Sequence, residues 1–147
     1  MKLYTIGFSG KNAETFFTTL EKAGVKTLVD IRLNNRSQLA GFTKAADLEY
    51  FLKSLSGIVY KHFPLLAPSA ELLEAYRNKE IDWDGYTRLF EALMQDRKAD
   101  AFMKKELKGI EKPLCLLCSE SEAIKCHRRL IAERIRKLIP KTEIIHL

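Results

Sequence analysis

Pro113-Leu114-Cys115-Leu116-Leu117-Cys118-Ser119-Glu120 is the stretch whose reading decides the fold. An apolar run stops abruptly at a thiol, a hydroxyl and a carboxylate. Cys126-His127-Arg128-Arg129 follows at the opening of an amphipathic segment, adding a second thiol, an imidazole and two guanidiniums. Apolar strand, polar exit and helix start are the parts from which an open α/β sheet builds a site at the carboxyl ends of its strands. The pattern therefore predicts a strand over 114–118 and a helix from about Ser121 to Leu138, with Ile124, Ile131, Ile135 and Leu138 inward.

Working outward, Lys2 to Gly7 reads as a buried first strand ending in the turn Gly7-Phe8-Ser9-Gly10. Asn12 is placed to cap a helix that carries Phe16, Phe17 and Leu20 inward, and Gly24 is a natural stop. Thr27 to Arg32 reads as a second strand with its polar residues at the exit. Strand, helix and strand within roughly thirty residues form a βαβ unit, which predicts a right-handed crossover and parallel pairing of the two strands. Leu33 to Thr43 is a polar loop. Thr43 or Asp47 is then the expected cap of a helix with Leu48, Phe51, Leu52 and Leu55 on one face, closed by Gly57. Ile58 to Phe63 alternates as a third strand. Glu71 to Arg77 reads as a short helix, and Asp82 caps a longer one on which Trp83, Tyr86, Leu89, Phe90, Leu93 and Met94 recur at helical spacing, an apolar stripe that reads as core. Phe102, Met103 and Leu107 continue it after a break near Arg97 to Asp100. Glu143 to Leu147 reads as a short last strand.

The expectation is one three-layer α/β domain over residues 1–147, with a mainly parallel sheet of four to five strands flanked by helices. The 147 residues are 46% hydrophobic and 30% charged, as in ordinary globular proteins. No run of about eighteen apolar residues occurs, so no membrane span is expected. No secretory leader is evident, and three cysteines are too few for a disulfide scaffold, which points to a cytoplasmic protein with free thiols. The net charge is +6, and from Lys98 onward 12 Lys and Arg stand against 7 Asp and Glu. A basic surface favours an anionic small molecule or nucleic acid as partner.

Several groups could carry chemistry. Asp30 and Arg32 leave the second strand on the same face, as a carboxylate base and an anion clamp or as an ion pair that fixes the loop. Glu120 leaves the fourth strand as a second candidate base. Tyr60 and His62 share a face of the third strand, and His62 joins His127 as a candidate acid or base. Cys118 or Cys126 could attack as a nucleophile with His127 as base, or the two could act as a redox pair. Cys115, Cys118, Cys126 and His127 also suggest zinc. However, residues three apart on a strand point to opposite faces, and adjacent helical residues diverge by roughly 100°. Cys115 therefore reads as a small core hydrophobe, and a site of Cys118, Cys126 and His127 requires a helix that starts late. No metal and no cofactor is expected. Gly7 and Ser9 lie in a turn that could present backbone N–H groups to an anion, with Arg36 and Ser37 in the facing loop and Arg128 at the last helix start.

Together these residues resemble the domain of unknown function 488 family. The resemblance runs through Tyr4-Thr5-Ile6-Gly7, Leu28-Val29-Asp30-Ile31-Arg32, Ser37 with Phe42, Tyr60 with His62, Leu116-Leu117-Cys118-Ser119-Glu120 and Cys126-His127-Arg128-Arg129. Asn34-Asn35-Arg36-Ser37-Gln38 stands where many members have Asp-Val-Arg followed by a proline and a serine, and Leu66-Ala67-Pro68 where a Gly-Gly is common. The resemblance implies an α/β fold and a shared polar site that includes Thr5, Gly7, Asp30, Arg32, Ser37, Tyr60, His62, Cys118, Glu120, Cys126, His127 and Arg128. It specifies no reaction. The leading expectation is a small enzyme acting on an anionic, nucleotide or nucleic-acid-linked substrate. The alternatives are a non-catalytic nucleic-acid- or protein-binding module and a thiol-redox or zinc-binding protein.

Overall fold

The structure, a computed structural model, describes residues 1–36, 41–120 and 122–147. Among them are five strands, β1 (Lys2–Gly7), β2 (Thr27–Asp30), β3 (Val59–His62), β4 (Leu114–Cys118) and β5 (Glu143–His146). All neighbours pair in parallel, in the order β3-β2-β4-β1-β5. The helices are α1 (Ala13–Lys22), α2 (Ala45–Phe51), α3 (Ala70–Arg77), α4 (Trp83–Asp96), α5 (Ala99–Glu106) and α6 (His127–Leu138). No helix among the described residues is long and apolar enough to cross a membrane.

The three central strands are buried almost throughout because helices cover both faces, whereas the edge strands β3 and β5 are half-exposed. On one face Phe16, Phe17 and Leu20 of α1, with Leu48 and Leu52, pack on Tyr4, Ile6, Leu28, Cys115 and Leu117. On the other, Tyr86, Phe90 and Met94 of α4, with Met103, Leu130, Ile131 and Ile135, pack on Leu3, Val29, Leu114 and Leu116. Cys115 belongs to the first face and is fully buried, as its place on the strand predicts. The connections that leave the adjacent strands β1 and β4 thus run to opposite faces, which is where an open α/β sheet forms a crevice.

Local signals account for most element ends. The Asn12 and Asp82 carboxamide and carboxylate oxygens accept from the N–H groups of Thr15 and Gly85, each at 2.8 Å. Gly24 and Gly57 take the left-handed conformation that ends their helices.

Several expectations need correction. β1 and β2 do not pair with each other, because β4 inserts between them. Neither Thr43 nor Asp47 caps α2: the cap position is Lys44, without a side-chain bond. Past Phe51 the helix widens into a π-type turn over Leu52–Ser56, which turns Leu55 out to 61% exposure. Leu89 also faces outward on α4, at 51%. The last helix begins at His127 rather than near Ser121, so Ile124 lies on the preceding loop at 64% exposure. That loop is held by two backbone anchors. The Ser119 carbonyl accepts from the Ser9 N–H at 3.0 Å, and the Glu120 carbonyl accepts from Arg128 Nη1.

Candidate functional site

Two polar clusters lie at the carboxyl edge of the sheet, one toward each face. On the α1 side, the Asp30 carboxylate is fully buried and takes four donors. Oδ1 accepts from Arg32 N at 3.1 Å and Arg32 Nε at 2.9 Å, and Oδ2 accepts from Arg32 Nη2 at 2.8 Å and the Tyr60 hydroxyl at 2.7 Å. Arg32, 3% exposed, gives a further bond from Nη2 to the Thr43 carbonyl at 2.6 Å and stacks over the Phe8 ring at 5.4 Å. Burial, then the hydrogen bond to Asp30, pushes the Tyr60 phenol up, so it stays neutral and donates. His62 Nε2 donates to the Arg32 carbonyl at 3.2 Å. Four good bonds saturate the carboxylate, so this geometry is that of an ion pair that fixes the strand exit and leaves Asp30 little capacity to take a substrate proton.

On the α4 side, Cys118 ends β4, and Cys126 holds the cap position of α6 with an extended backbone, φ −140° and ψ 140°. The late helix start turns the Cys126 side chain back onto the strand. Cys126 Sγ comes within 3.1 Å of Cys118 Sγ, and His127 Nδ1 lies 3.5 Å from Cys118 Sγ. His127 Nε2 donates to the Ile31 carbonyl at 2.8 Å. A carbonyl only accepts, so the proton on Nε2 is settled and Nδ1 faces the sulfurs. The bond from Cys126 and the His127 charge hold the Cys118 thiol well below the usual range against the opposing effect of burial, and the Glu120 amide adds to this. That shared bond and burial push Cys126 up. Burial opposes charge on His127, but the Cys118 sulfur and the Ile31 carbonyl raise it overall.

This second cluster opens on a cavity of about 930 Å³. Cys118, Cys126 and His127 contribute to it, as do Ser119 and Glu120. The cations among its lining residues are Lys11, Arg32, Arg77 and Lys125, and Glu74 and Glu120 also line it. Tyr76, Trp83, Tyr86 and Phe8 supply ring surface. Trp83 and Tyr86 stack at 5.1 Å with 14° between their planes, and Tyr76 lies 5.1 Å from Tyr86. Burial and the Arg128 charge lower the Lys11 amine. Among the described residues, Lys11, Arg77 and Lys125 take part in no ion pair.

Comparison with known families finds that the model for "Domain of unknown function DUF488" matches residues 12–135. The chain belongs to this family. No curated protein and no solved structure matches it. The DUF488 match covers both polar clusters and the connections between them, while β1 and β5 lie outside it.

Set against this DUF488 chain, the residues singled out in the sequence separate into groups. Cys118, Glu120, Cys126 and His127 come together at the cavity. Asp30, Tyr60 and His62 gather in the closed cluster with Arg32, which alone of them also reaches the cavity. Thr5 is buried and joined to His146 Nδ1 of the edge strand at 2.6 Å. Arg128 is buried, and its Nη1 holds the Glu120 backbone carbonyl rather than facing the cavity. Gly7 answers a steric need: a Cβ there would overlap that same carbonyl. The Ser9 N–H is spent on Ser119, which removes one donor from the proposed anion turn, although Ser9 does line the cavity. Arg36 is exposed and does not line it, and Ser37 lies outside the described residues. Sequence reasoning missed Lys11, Arg77 and Lys125, which carry no pattern of their own.

Proposed function

We propose that this protein is a small enzyme acting on an anionic substrate that carries a planar ring, a nucleotide or a nucleotide unit of nucleic acid. The observation that carries the reading is that the thiol–imidazole centre opens on a cavity walled by cations and aromatic rings. Lys11, Arg77 and Lys125 would meet the anionic group, and Trp83 and Tyr76 the ring. Cys118, Cys126 and His127 form the centre at which the chemistry takes place, and Glu120, two residues beyond Cys118 and lining the same cavity, is the proton acceptor. The cavity is at the upper end of the range of about 300–1,000 Å³ typical of small-molecule sites. Arg32 contributes its aromatic stacking and only part of its charge, because Asp30 neutralises it.

A binding module built on the basic C-terminal half has less support. Arg134 of α6 is engaged by Glu91 and Asp100, and Arg129 by Glu133, so much of that charge is met locally.

Trp83 is the chain's single tryptophan, so its fluorescence reports on the cavity directly. Titration with AMP, GMP, CMP and UMP should give saturable quenching with at least one of them, weakened in Lys11→Ala and Lys125→Ala. Inorganic phosphate or the free nucleosides should give much weaker responses. Flat fluorescence with all four, across low and moderate salt, would remove the substrate class.

A further inference from the structure

We infer that Cys118, Cys126 and His127 form a zinc site with three protein ligands and a fourth position open to the cavity. The inference rests on the proposed function only in assigning that open position to the same cavity; the site itself is argued from the three side chains.

Two sulfurs and one imidazole nitrogen, supplied by a strand end and a helix start, lie within 4.8 Å of one another and are buried. Their directions matter more than their proximity. His127 donates Nε2–H to the Ile31 carbonyl, the outer bond that commonly orients a metal-binding histidine, and this leaves the Nδ1 lone pair turned to the sulfurs. Cys126 escapes the divergence of adjacent helical residues because it caps α6 in an extended conformation. Bond lengths of about 2.3 Å to sulfur and 2.0–2.1 Å to nitrogen in a tetrahedron separate the ligand atoms by about 3.8 Å and 3.6 Å. The Sγ–Nδ1 distance of 3.5 Å already fits, and the Sγ–Sγ distance of 3.1 Å needs to widen. A small rotation of Cys126, at a loop–helix junction, supplies that change.

Two soft thiolates with one imidazole in tetrahedral array select zinc among common divalent ions, and two thiolates cancel its charge in a buried setting. Cys115 cannot join, since it lies on the other face of the sheet. Three protein ligands and a water-accessible fourth position are the make-up of a catalytic rather than a structural zinc site. Glu120 lines the same cavity as the ligands and is not one of them. Under this assignment it would be the carboxylate available to exchange a proton with a water at the open position.

The test is metal analysis of the full chain, purified under a non-chelating reductant so that the paired thiols stay reduced. One zinc per chain is expected, and cobalt substitution should give a thiolate-to-cobalt charge-transfer band. Cys118→Ser, Cys126→Ser and His127→Gln should each weaken zinc binding by at least tenfold in competition with a chromophoric chelator. Cys115→Ser, of equal burial, should bind as the parent does. Wild-type protein that is folded by circular dichroism yet takes up no stoichiometric zinc or cobalt would overturn the site, as would full retention of metal by all three ligand variants. These outcomes are separate from nucleotide binding. Metal bound without Trp83 quenching defeats the substrate class alone, and quenching without metal defeats the zinc site alone.

Discussion

The Asp30–Arg32–Tyr60 cluster and the Cys118–Cys126–His127 cluster grow from neighbouring strands at the same level, since Asp30 is in register with Leu117, one residue before Cys118. They nevertheless differ in every respect that bears on chemistry. The first pairs strong opposite charges, saturates its carboxylate and faces the packed α1 side. The second holds soft, weakly bonded groups at the wall of a large cavity. Ile31 joins the two. Its N–H bonds the Leu117 carbonyl at 3.1 Å, and its carbonyl receives His127 Nε2, while its flanking residues form the ion pair. The difference teaches a division of labour: the closed cluster sets the backbone on which the open cluster's imidazole is aimed.

The sharpest way to break that division is to remove one member from each side. If the proposed activity holds, Cys118→Ala should lower turnover by at least about 10⁴-fold, more than about 5 kcal/mol of barrier. Its urea midpoint should also fall, because the buried His127 loses the sulfur that favours its charge. Turnover within tenfold of the parent would take the chemistry away from this cluster.

Arg32→Met comes next. Breaking a buried ion pair from one side costs about 3–5 kcal/mol, because the Asp30 charge is left without its partner. Urea unfolding measures this. If stability instead holds and nucleotide binding is lost, Arg32 is an anion clamp and the closed cluster has been misassigned.

Tyr60→Phe should cost about 1.5–3 kcal/mol, the usual worth of a hydrogen bond to a charged group. It also carries a pH signature. The Tyr60 phenol is raised in the folded protein, so above about pH 10 the native state holds a proton that the unfolded state has lost. Its contribution is fully present below that pH and declines above it, by up to about 1.4 kcal/mol per pH unit. The stability difference between parent and Tyr60→Phe should therefore shrink as pH rises past 10. A constant difference would mean that the phenol does not keep its proton for Asp30.

Much of this division is legible in the amino-acid sequence, and the rest is hidden there for identifiable reasons. The unbroken apolar run of Leu114 to Cys118 and the caps at Asn12 and Asp82 are local signals, and each stands where the pattern puts it. Strand order is not local. That β4 slides between β1 and β2 depends on which faces the later helices cover, and no residue of the first βαβ unit records it. The start of α6 misleads because Ile124 falls by chance in phase with Ile131 and Ile135, while the anchors that hold the Ser119 and Glu120 carbonyls ahead of the helix, Ser9 and Arg128, are tertiary. The pairing of Asp30 with Arg32 is one of two readings open in the sequence, and only the contacts of Tyr60 and Thr43 show how completely it closes. Lys11, Arg77 and Lys125 do not stand out from among 25 lysines and arginines, because what distinguishes them is convergence on one cavity.

Lys11 supplies the smallest and most delicate test of the comparison. It follows the Gly7–Gly10 turn, its amine is partly desolvated, and the Arg128 charge disfavours its protonation further. A cation in that state gains more from an arriving anion than a fully hydrated lysine does, since part of its hydration is already lost. Lys11→Ala should therefore weaken nucleotide binding by about five- to tenfold, roughly 1–1.4 kcal/mol, read from Trp83 quenching. The urea midpoint should stay put, because no ion pair among the described residues depends on Lys11. The loss should also shrink as salt rises, as for any contact to an anionic group that displaces counterions. A loss of binding with no salt dependence would mean that Lys11 acts through the shape of the turn, and the cation wall of the cavity would then rest on Arg77 and Lys125.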